Sequence, residues 1–221
     1  MSRPLVVVLD VDGTLIDSND AHARAWVETG EALGTRIDFA EVRRLIGMGG
    51  DRVLPRLAGV EEESAEGERW SERRGEIFRE RHLPGLRPFP GTRALLERMR
   101  ADGYRLVVAS SASEEDLGLL LEKAGVAELV EERTSSGDAD SSKPAPDIVE
   151  AALESAGVEP GEALMLGDTP YDVEACLRAG VPIVALRSGG WDDEALEGAV
   201  AVYADPADLL SRYDASPLAR R

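Results

Sequence analysis

Cysteine is nearly absent from this chain of 221 residues, which contains only Cys176. A single cysteine cannot form a disulfide within the chain, so we expect a reducing compartment, with the cytoplasm as the default. Long apolar runs are missing as well, and none approaches the roughly 20 residues that span a bilayer. The sequence therefore predicts a protein without a membrane segment.

Basic residues are also scarce, since 25 Lys and Arg stand against 43 Asp and Glu, for a net charge of −18. Such an acidic chain repels nucleic acid and anionic membranes, and we expect neither as a partner. Small anions stay possible, because a pocket can be locally positive inside a negative envelope. The length allows a full hydrophobic core and a second small domain.

Short apolar runs that end at polar residues predict strands at 5–10, 105–110, 163–168, 182–186 and 199–203. Near-continuous apolarity is typical of strands that are buried on both faces of a parallel sheet. Helical patterns fall between them, at 92–103, 113–125, 146–157 and 171–180, and each closes on a glycine. Alternation of strand and helix predicts an α/β fold with a doubly wound parallel sheet.

One region interrupts this alternation. Residues 17–86 contain no strand-like run and only helix-compatible segments, at 20–34, 38–47, 51–59 and 61–82. The region is too long for an ordinary connection, so it predicts an inserted all-helical domain. We expect a catalytic core made of 1–16 and 87–221, a helical domain of 17–86, and a frayed C-terminus at SPLARR (216–221).

Polar residues follow the predicted strands. In an open parallel sheet the carboxyl ends of the strands share one edge, where ligands bind. The residues expected there are Asp10, Asp12, Ser110, Ser111, Lys143, Asp168 and Asp172. Converging carboxylates need a hard divalent cation such as Mg²⁺. Together with lysine and hydroxyl donors, they predict a site that neutralises and holds a phosphoryl group.

Roles can be assigned within this set. Asp10 is the expected nucleophile, because a carboxylate can form an aspartyl-phosphate. Asp12 can protonate the leaving oxygen and later deprotonate water. Thr14 can position Asp12 or donate to the phosphoryl group. We expect Asp168 to bind the metal directly and Asp172 to bind it directly or through water.

Four motifs occur in order: DVDGT (10–14), the strand-ending Ser110, Lys143 in SKPAPD, and GDTPYD (167–172). They resemble the signature motifs of the haloacid dehalogenase-like (HAD) hydrolase superfamily, and residues 17–86 resemble its smaller helical cap, as in the β-phosphoglucomutase and phosphoglycolate phosphatase group. The resemblance implies Mg²⁺ as cofactor and Asp10 as the phosphorylated residue. It also implies that Asp12 is the general acid and base and that its backbone carbonyl binds the metal. Ser110 and Lys143 would bind the phosphate.

Substrate identity is expected in the helical region. The stretch IGMGGDRVLP (46–55) resembles a specificity loop, in which Gly49 and Arg52 would face substrate and Arg52 could hold a second anion. The alternative is a glycine-rich turn with a surface arginine. His22 matches a histidine near the acid/base in that group, although a lone helical histidine is usually structural. The charge-dense stretch 61–81 predicts a solvated helix face.

The expected activity is hydrolysis of a small phosphorylated metabolite, by a monomer or weak homodimer. A sugar phosphomutase like β-phosphoglucomutase uses the same intermediate and stays open as an alternative. A receiver-like phosphoacceptor domain is disfavoured, because receivers place their phosphorylated aspartate on a middle strand and lack a helical insert.

Overall fold

A computed structural model of the protein describes residues 5–219. Within that range six parallel strands form one sheet: β1 (Val6–Leu9), β2 (Arg105–Ala109), β3 (Glu132–Thr134), β4 (Ala163–Gly167), β5 (Ile183–Leu186) and β6 (Ala201–Tyr203). Their spatial order is β3-β2-β1-β4-β5-β6. The order reverses between β1 and β4, and the crevice at such a reversal is where open α/β sheets bind ligands.

The central strands are buried on both faces, which confirms the predicted doubly wound fold. In β1, Val7 and Leu9 belong to one hydrophobic cluster, while Val6 and Val8 belong to another on the opposite face. The prediction missed β3, which is a three-residue edge strand paired with β2 alone. Its sequence Glu-Arg-Thr contains no apolar run that could have revealed it.

Helices cover both faces of the sheet: α5 (Thr92–Ala101), α6 (Glu114–Ala124), α7 (Asp147–Ala156), α8 (Pro170–Ala179) and α9 (Pro206–Ser211). Ser113 caps α6, since its hydroxyl accepts from the N–H of Asp116. The predicted fraying at the C-terminus is wrong for residues 216–218. Leu218 is fully buried, and its carbonyl accepts from the Tyr104 hydroxyl at 3.0 Å. Residues 220–221 lie outside the described range.

Between β1 and β2 the chain forms four helices before α5: α1 (Asn19–Leu33), α2 (Phe39–Leu45), α3 (Gly50–Ala58) and α4 (Ala65–Ile77). A π-helical turn, Phe78–His82, extends α4. We call residues 17–86 the helical insert. It has its own hydrophobic cluster, which includes Trp26, Leu54 and Trp70. The division of the chain at residues 16 and 86 into separate domains stays a prediction.

None of the helices in residues 5–219 combines the length and the apolarity that a membrane crossing requires.

Candidate active site

The carboxyl ends of β1 and β4 bring three predicted acids together. Oxygen atoms of Asp10, Asp168 and Asp172 lie within 4.8 Å of one another, and all three residues are buried. The turn after β1 fits closely against Asp168: a Cβ on Gly13 would lie 2.2 Å from its Oδ2, and Gly13 has φ +77°. Glycine is therefore required there for both conformation and space.

Lys143 is the cation that compensates this cluster. Its Nζ donates to Asp10 Oδ1 at 2.6 Å and to the Ala109 carbonyl at 3.1 Å, and it lies 2.7 Å from Asp172 Oδ1. Burial on its own lowers the pKa of Lys143, but the charges of Asp10 and Asp172 outweigh burial and raise that pKa. Lys143 is therefore charged throughout the physiological range.

One ammonium does not balance three carboxylates. Burial raises the pKa of Asp10 to about 7, with Lys143 opposing the shift and Asp172 and Asp12 adding to it. Burial also raises the pKa of Asp168 well above its ordinary value, and the charges of Asp10 and Asp172 add to that effect. The cluster has an excess of negative charge that a divalent cation would neutralise.

The donor set fits Mg²⁺, which prefers hard oxygen ligands. Asp168 accepts from the Asn19 amide at 3.1 Å, and the buried Oδ1 of Asn19 has no hydrogen-bond partner among the described residues. Asp172 is already engaged, because its Oδ2 accepts from the N–H and hydroxyl of Thr169 and its Oδ1 pairs with Lys143. Of the two modes predicted for Asp172, these contacts favour the water-mediated one.

Thr14 contacts two of the acids. Its hydroxyl lies 2.8 Å from Asp168 Oδ1 and 3.1 Å from Asp10 Oδ2. The prediction that Thr14 positions Asp12 is therefore wrong, because its one hydroxyl proton is directed at Asp10 and Asp168. Its predicted donation to a phosphoryl group stays a prediction.

Asp12 is positioned by residues of the helical insert. Its Oδ1 accepts from the Ser18 hydroxyl and lies 2.8 Å from His22 Nε2. The His22 ring stacks on Phe78, with centroids 4.1 Å apart. Burial raises the pKa of Asp12, but the charge and hydrogen bond of His22 and the bond from Ser18 outweigh it, so this pKa lies below its ordinary value.

The two predicted phosphate-binding serines follow β2. Ser110 is buried, and its Oγ accepts from the Ala112 N–H at 3.1 Å. The Oγ of Ser111 is inaccessible to solvent and has no hydrogen-bond partner within residues 5–219. Both serines line the cavity above Asp10. A buried hydroxyl without a partner is the kind of group that an anion would satisfy.

A cavity of about 600 Å³ separates the acids from the helical insert. The core contributes Asp10, Asp12 and Ser110 to its walls, and the insert contributes His22 and Gly49. The size suits a small metabolite.

The prediction that Arg52 faces this cavity is not what the structure shows. Among the described residues Arg52 is not part of the lining; its Nε donates to the Ser142 carbonyl at 3.0 Å. Arg74 and Arg79 line the cavity instead, and both pair at 3.0 Å with the buried Asp116. The expectation that 61–81 is a solvated face is therefore wrong at Arg74, whose side chain is only 16% exposed.

Comparisons with known proteins find related sequences over most of the chain. The model of the haloacid dehalogenase-like hydrolase family matches residues 7–186. Phosphoglycolate phosphatase of Rhodospirillum rubrum is 33% identical over 218 residues, covering 93% of this chain and 89% of that protein. Phosphoglycolate phosphatase of Aquifex aeolicus is 32% identical over 217 residues, an alignment that covers 95% of this chain and 96% of that protein.

Solved structures give the same result. A hydrolase from Pseudomonas syringae superposes with a TM-score of 0.87 and 31% identity, covering 95% of this chain and 98% of that one. CbbY from Rhodobacter sphaeroides, in complex with phosphate, superposes with a TM-score of 0.82 and 25% identity, over 93% and 96% of the two chains. This chain belongs to the haloacid dehalogenase-like hydrolase family, and phosphoglycolate phosphatases are among its relatives.

Proposed function

We propose that the protein is a Mg²⁺-dependent phosphatase of small phosphate monoesters that works through an aspartyl-phosphate on Asp10. One observation carries the proposal. Asp10 lies at the floor of the cavity, bonded to Lys143 and grouped with Asp168 and Asp172. A carboxylate held beside an ammonium and a cation site suits attack on phosphorus, because the approaching phosphoryl charge is neutralised in advance.

The first step forms a bond between a carboxylate oxygen of Asp10 and phosphorus, while the bond to the leaving oxygen breaks. Asp12 donates a proton to that oxygen. Asp12 then takes a proton from water, which attacks phosphorus, releases inorganic phosphate and restores Asp10. Lys143, Ser110 and Ser111 donate to the phosphoryl oxygens. Mg²⁺, held by Asp10, Asp168 and the Asp12 carbonyl, would supply positive charge to those oxygens when bound.

The surroundings of Asp12 are consistent with both of its tasks. Its lowered pKa without substrate suits the second step, in which it acts as a base. A negatively charged phosphoryl group beside Asp12 raises that pKa again, which suits proton donation in the first step. The helical insert would act as the cap that excludes bulk water from this exchange.

A leaving group with its own anionic group is the favoured substrate type. Arg74 faces the cavity from the insert, and its guanidinium lies 3.5 Å from His22 Nδ1. The other nitrogen of that ring, Nε2, contacts Asp12. A carboxylate on the leaving group could pair with that guanidinium. Since several relatives carry the name phosphoglycolate phosphatase, 2-phosphoglycolate is the first compound to test.

The test is a panel of phosphorylated metabolites with Mg²⁺, ranked by kcat/KM from release of inorganic phosphate. We expect Mg²⁺-dependent release, with carboxylate-bearing esters ranked first. The mutase alternative predicts that hexose 1-phosphate yields hexose 6-phosphate, whereas the phosphatase yields phosphate and free hexose. Appearance of hexose 6-phosphate, or no phosphate from any ester, contradicts the proposal. Membership of the HAD family removes the receiver-like alternative.

The charge imbalance also predicts how Mg²⁺ affects stability. Because the pKa of Asp10 rises on folding from 3.8 to about 7, the metal-free folded state binds an extra proton between these values. Stability from this group is therefore lost as the pH rises through that window. We expect Mg²⁺ to raise the Tm by roughly 5 °C near pH 7.5 and by much less near pH 5.5.

Thermal melts with and without Mg²⁺ at the two pH values check this expectation. Asp168→Asn is the matched variant, since it keeps the shape of the side chain and removes one ligand charge. The variant should lose most of the Mg²⁺ response. An equal response at both pH values, or an unchanged response in the variant, contradicts the metal site.

A further inference from the structure

Ser142 immediately precedes Lys143, and all three of its polar groups contact the helical insert. Its N–H donates to Asp51 Oδ2 at 3.2 Å, and its Oγ accepts from the Gly49 N–H at 3.0 Å. Its carbonyl accepts from Arg52 Nε at 3.0 Å. We call these three hydrogen bonds the Ser142 clasp. They join the start of α3 to the segment that carries the phosphate-binding lysine.

The insert is shaped to approach Ser142 closely. A Cβ on Gly49 would lie 2.6 Å from Ser142 Cβ and 3.0 Å from its Oγ, so a side chain does not fit there while the clasp is formed. Gly49 has φ −82° and ψ 172°, an extended conformation that any residue adopts. Glycine is therefore required at this position by the contact and not by the backbone turn.

The segment held by the clasp has little structure of its own. Residues 139–146 contain neither helix nor strand, and within them the Ser142 carbonyl also accepts a turn bond from the Ala145 N–H at 3.1 Å. Lys143 reaches from this segment to Asp10 and Asp172. The placement of its ammonium therefore depends on a backbone that the insert helps to hold.

We propose that Gly49, Asp51 and Arg52 are positioning residues for phosphoryl transfer. They hold Ser142 and thereby set Lys143 against Asp10 and the phosphoryl group. The inference rests on the proposed function, because Lys143 has a phosphoryl group to bind only if the chain is a phosphatase. Every phosphate monoester substrate has the same phosphoryl group, and these residues act on it through Lys143. Their loss should therefore lower the rate for every substrate alike, whatever its leaving group.

Gly49→Ala tests the kinetic part. The added methyl group meets Ser142, and we expect kcat to fall about tenfold for each active substrate, which corresponds to the loss of one or two hydrogen bonds. The ranking of substrates should not change, and the Tm should fall by only a few degrees. Adding Ser142→Gly removes one of the two side chains that the methyl group meets, the other being Asp51, but it also removes the Oγ acceptor, so it should restore only part of the rate. Gly85→Ala is the control, since a Cβ there meets nothing within 4 Å.

Hydrogen exchange of the Ser142 amide tests the contact without using activity. We expect Asp51→Ala to accelerate this exchange about tenfold, and Asp51→Asn, which keeps an acceptor oxygen, to remain near the wild type. Both variants lose the same charge at the start of α3, so they differ mainly in the acceptor.

Three results overturn the proposal: wild-type kcat in Gly49→Ala, a changed substrate ranking in that variant, or equal exchange in wild type and Asp51→Ala. The proposed function fails separately, if the wild-type protein hydrolyses no phosphate ester. The exchange measurement then still decides whether the clasp forms in solution.

Discussion

Asp10→Asn is expected to lower kcat by about 10⁴-fold or more while the protein remains folded. The amide has nearly the same size and can still accept from Lys143, whose Nζ lies 2.6 Å from Asp10 Oδ1. An amide oxygen is a poor nucleophile, however, and no aspartyl-phosphate can form. Steady-state phosphate release measures the activity, and circular dichroism with a thermal melt shows whether the fold is retained.

Asp17→Asn is the matched control, because Asp17 is exposed and lies seven positions along the same segment. We expect near wild-type kcat for this control. The introduced asparagine must first be shown not to have deamidated to aspartate. In such protein, activity above about one per cent of wild type would exclude Asp10 as the nucleophile.

Lys143→Ala is expected to lower the free energy of unfolding by about 3–5 kcal/mol in the absence of Mg²⁺, because it removes one partner from a buried ion pair. The Lys143 side chain is 1% exposed, and its ammonium lies within 2.7 Å of both Asp10 and Asp172. Without it, these carboxylates have no compensating cation. Activity should fall at least about 100-fold, since a donor to the phosphoryl oxygens is also lost.

The pH dependence of this loss has a defined sign. Removing Lys143 takes away the largest influence that opposes burial at Asp10, so the pKa of Asp10 in the folded protein rises further. The variant should therefore be closest to wild type near pH 5 and lose most stability near pH 8. Mg²⁺ should recover part of the difference near pH 8.

Urea unfolding at both pH values measures the loss. Lys123→Ala is the control, because Lys123 makes an exposed bond to the Pro84 carbonyl and should cost less than about 1 kcal/mol. Equal unfolding free energies for Lys143→Ala and Lys123→Ala would contradict the role of Lys143 as the compensating cation.

Much of the fold followed from patterns that are local in the sequence. The strand β1 is a run of four fully buried residues, and its apolarity and the acids after it are visible without any structure. The helices α6, α7 and α8 end at glycine C-caps, as predicted, whereas α5 ends at Asp102, one residue before its predicted glycine. By contrast, β3 is short and polar, and it is a strand only because β2 lies beside it.

The residues that sequence reasoning missed depend on contacts between distant parts of the chain. Asn19 looks like a helix start, and its bond to Asp168 joins residues 149 positions apart. Arg74 lies in a charged stretch, but its side chain is largely covered and pairs with Asp116 of the core helix α6. Arg52 followed a glycine-rich loop and seemed suited to substrate, but the structure directs it to Ser142. A charge pattern alone does not distinguish a solvated arginine from a paired one.

The most direct test of Asp10 as the phosphorylated residue is a crystal structure of the protein with Mg²⁺ and beryllium fluoride, which mimics a phosphorylated aspartate. We expect beryllium to be bonded to a carboxylate oxygen of Asp10, its fluorides to lie within reach of Lys143 and Ser110, and a cation to be bound by Asp10 and Asp168. Beryllium fluoride bound away from Asp10, or no cation among these acids, would contradict the proposed mechanism.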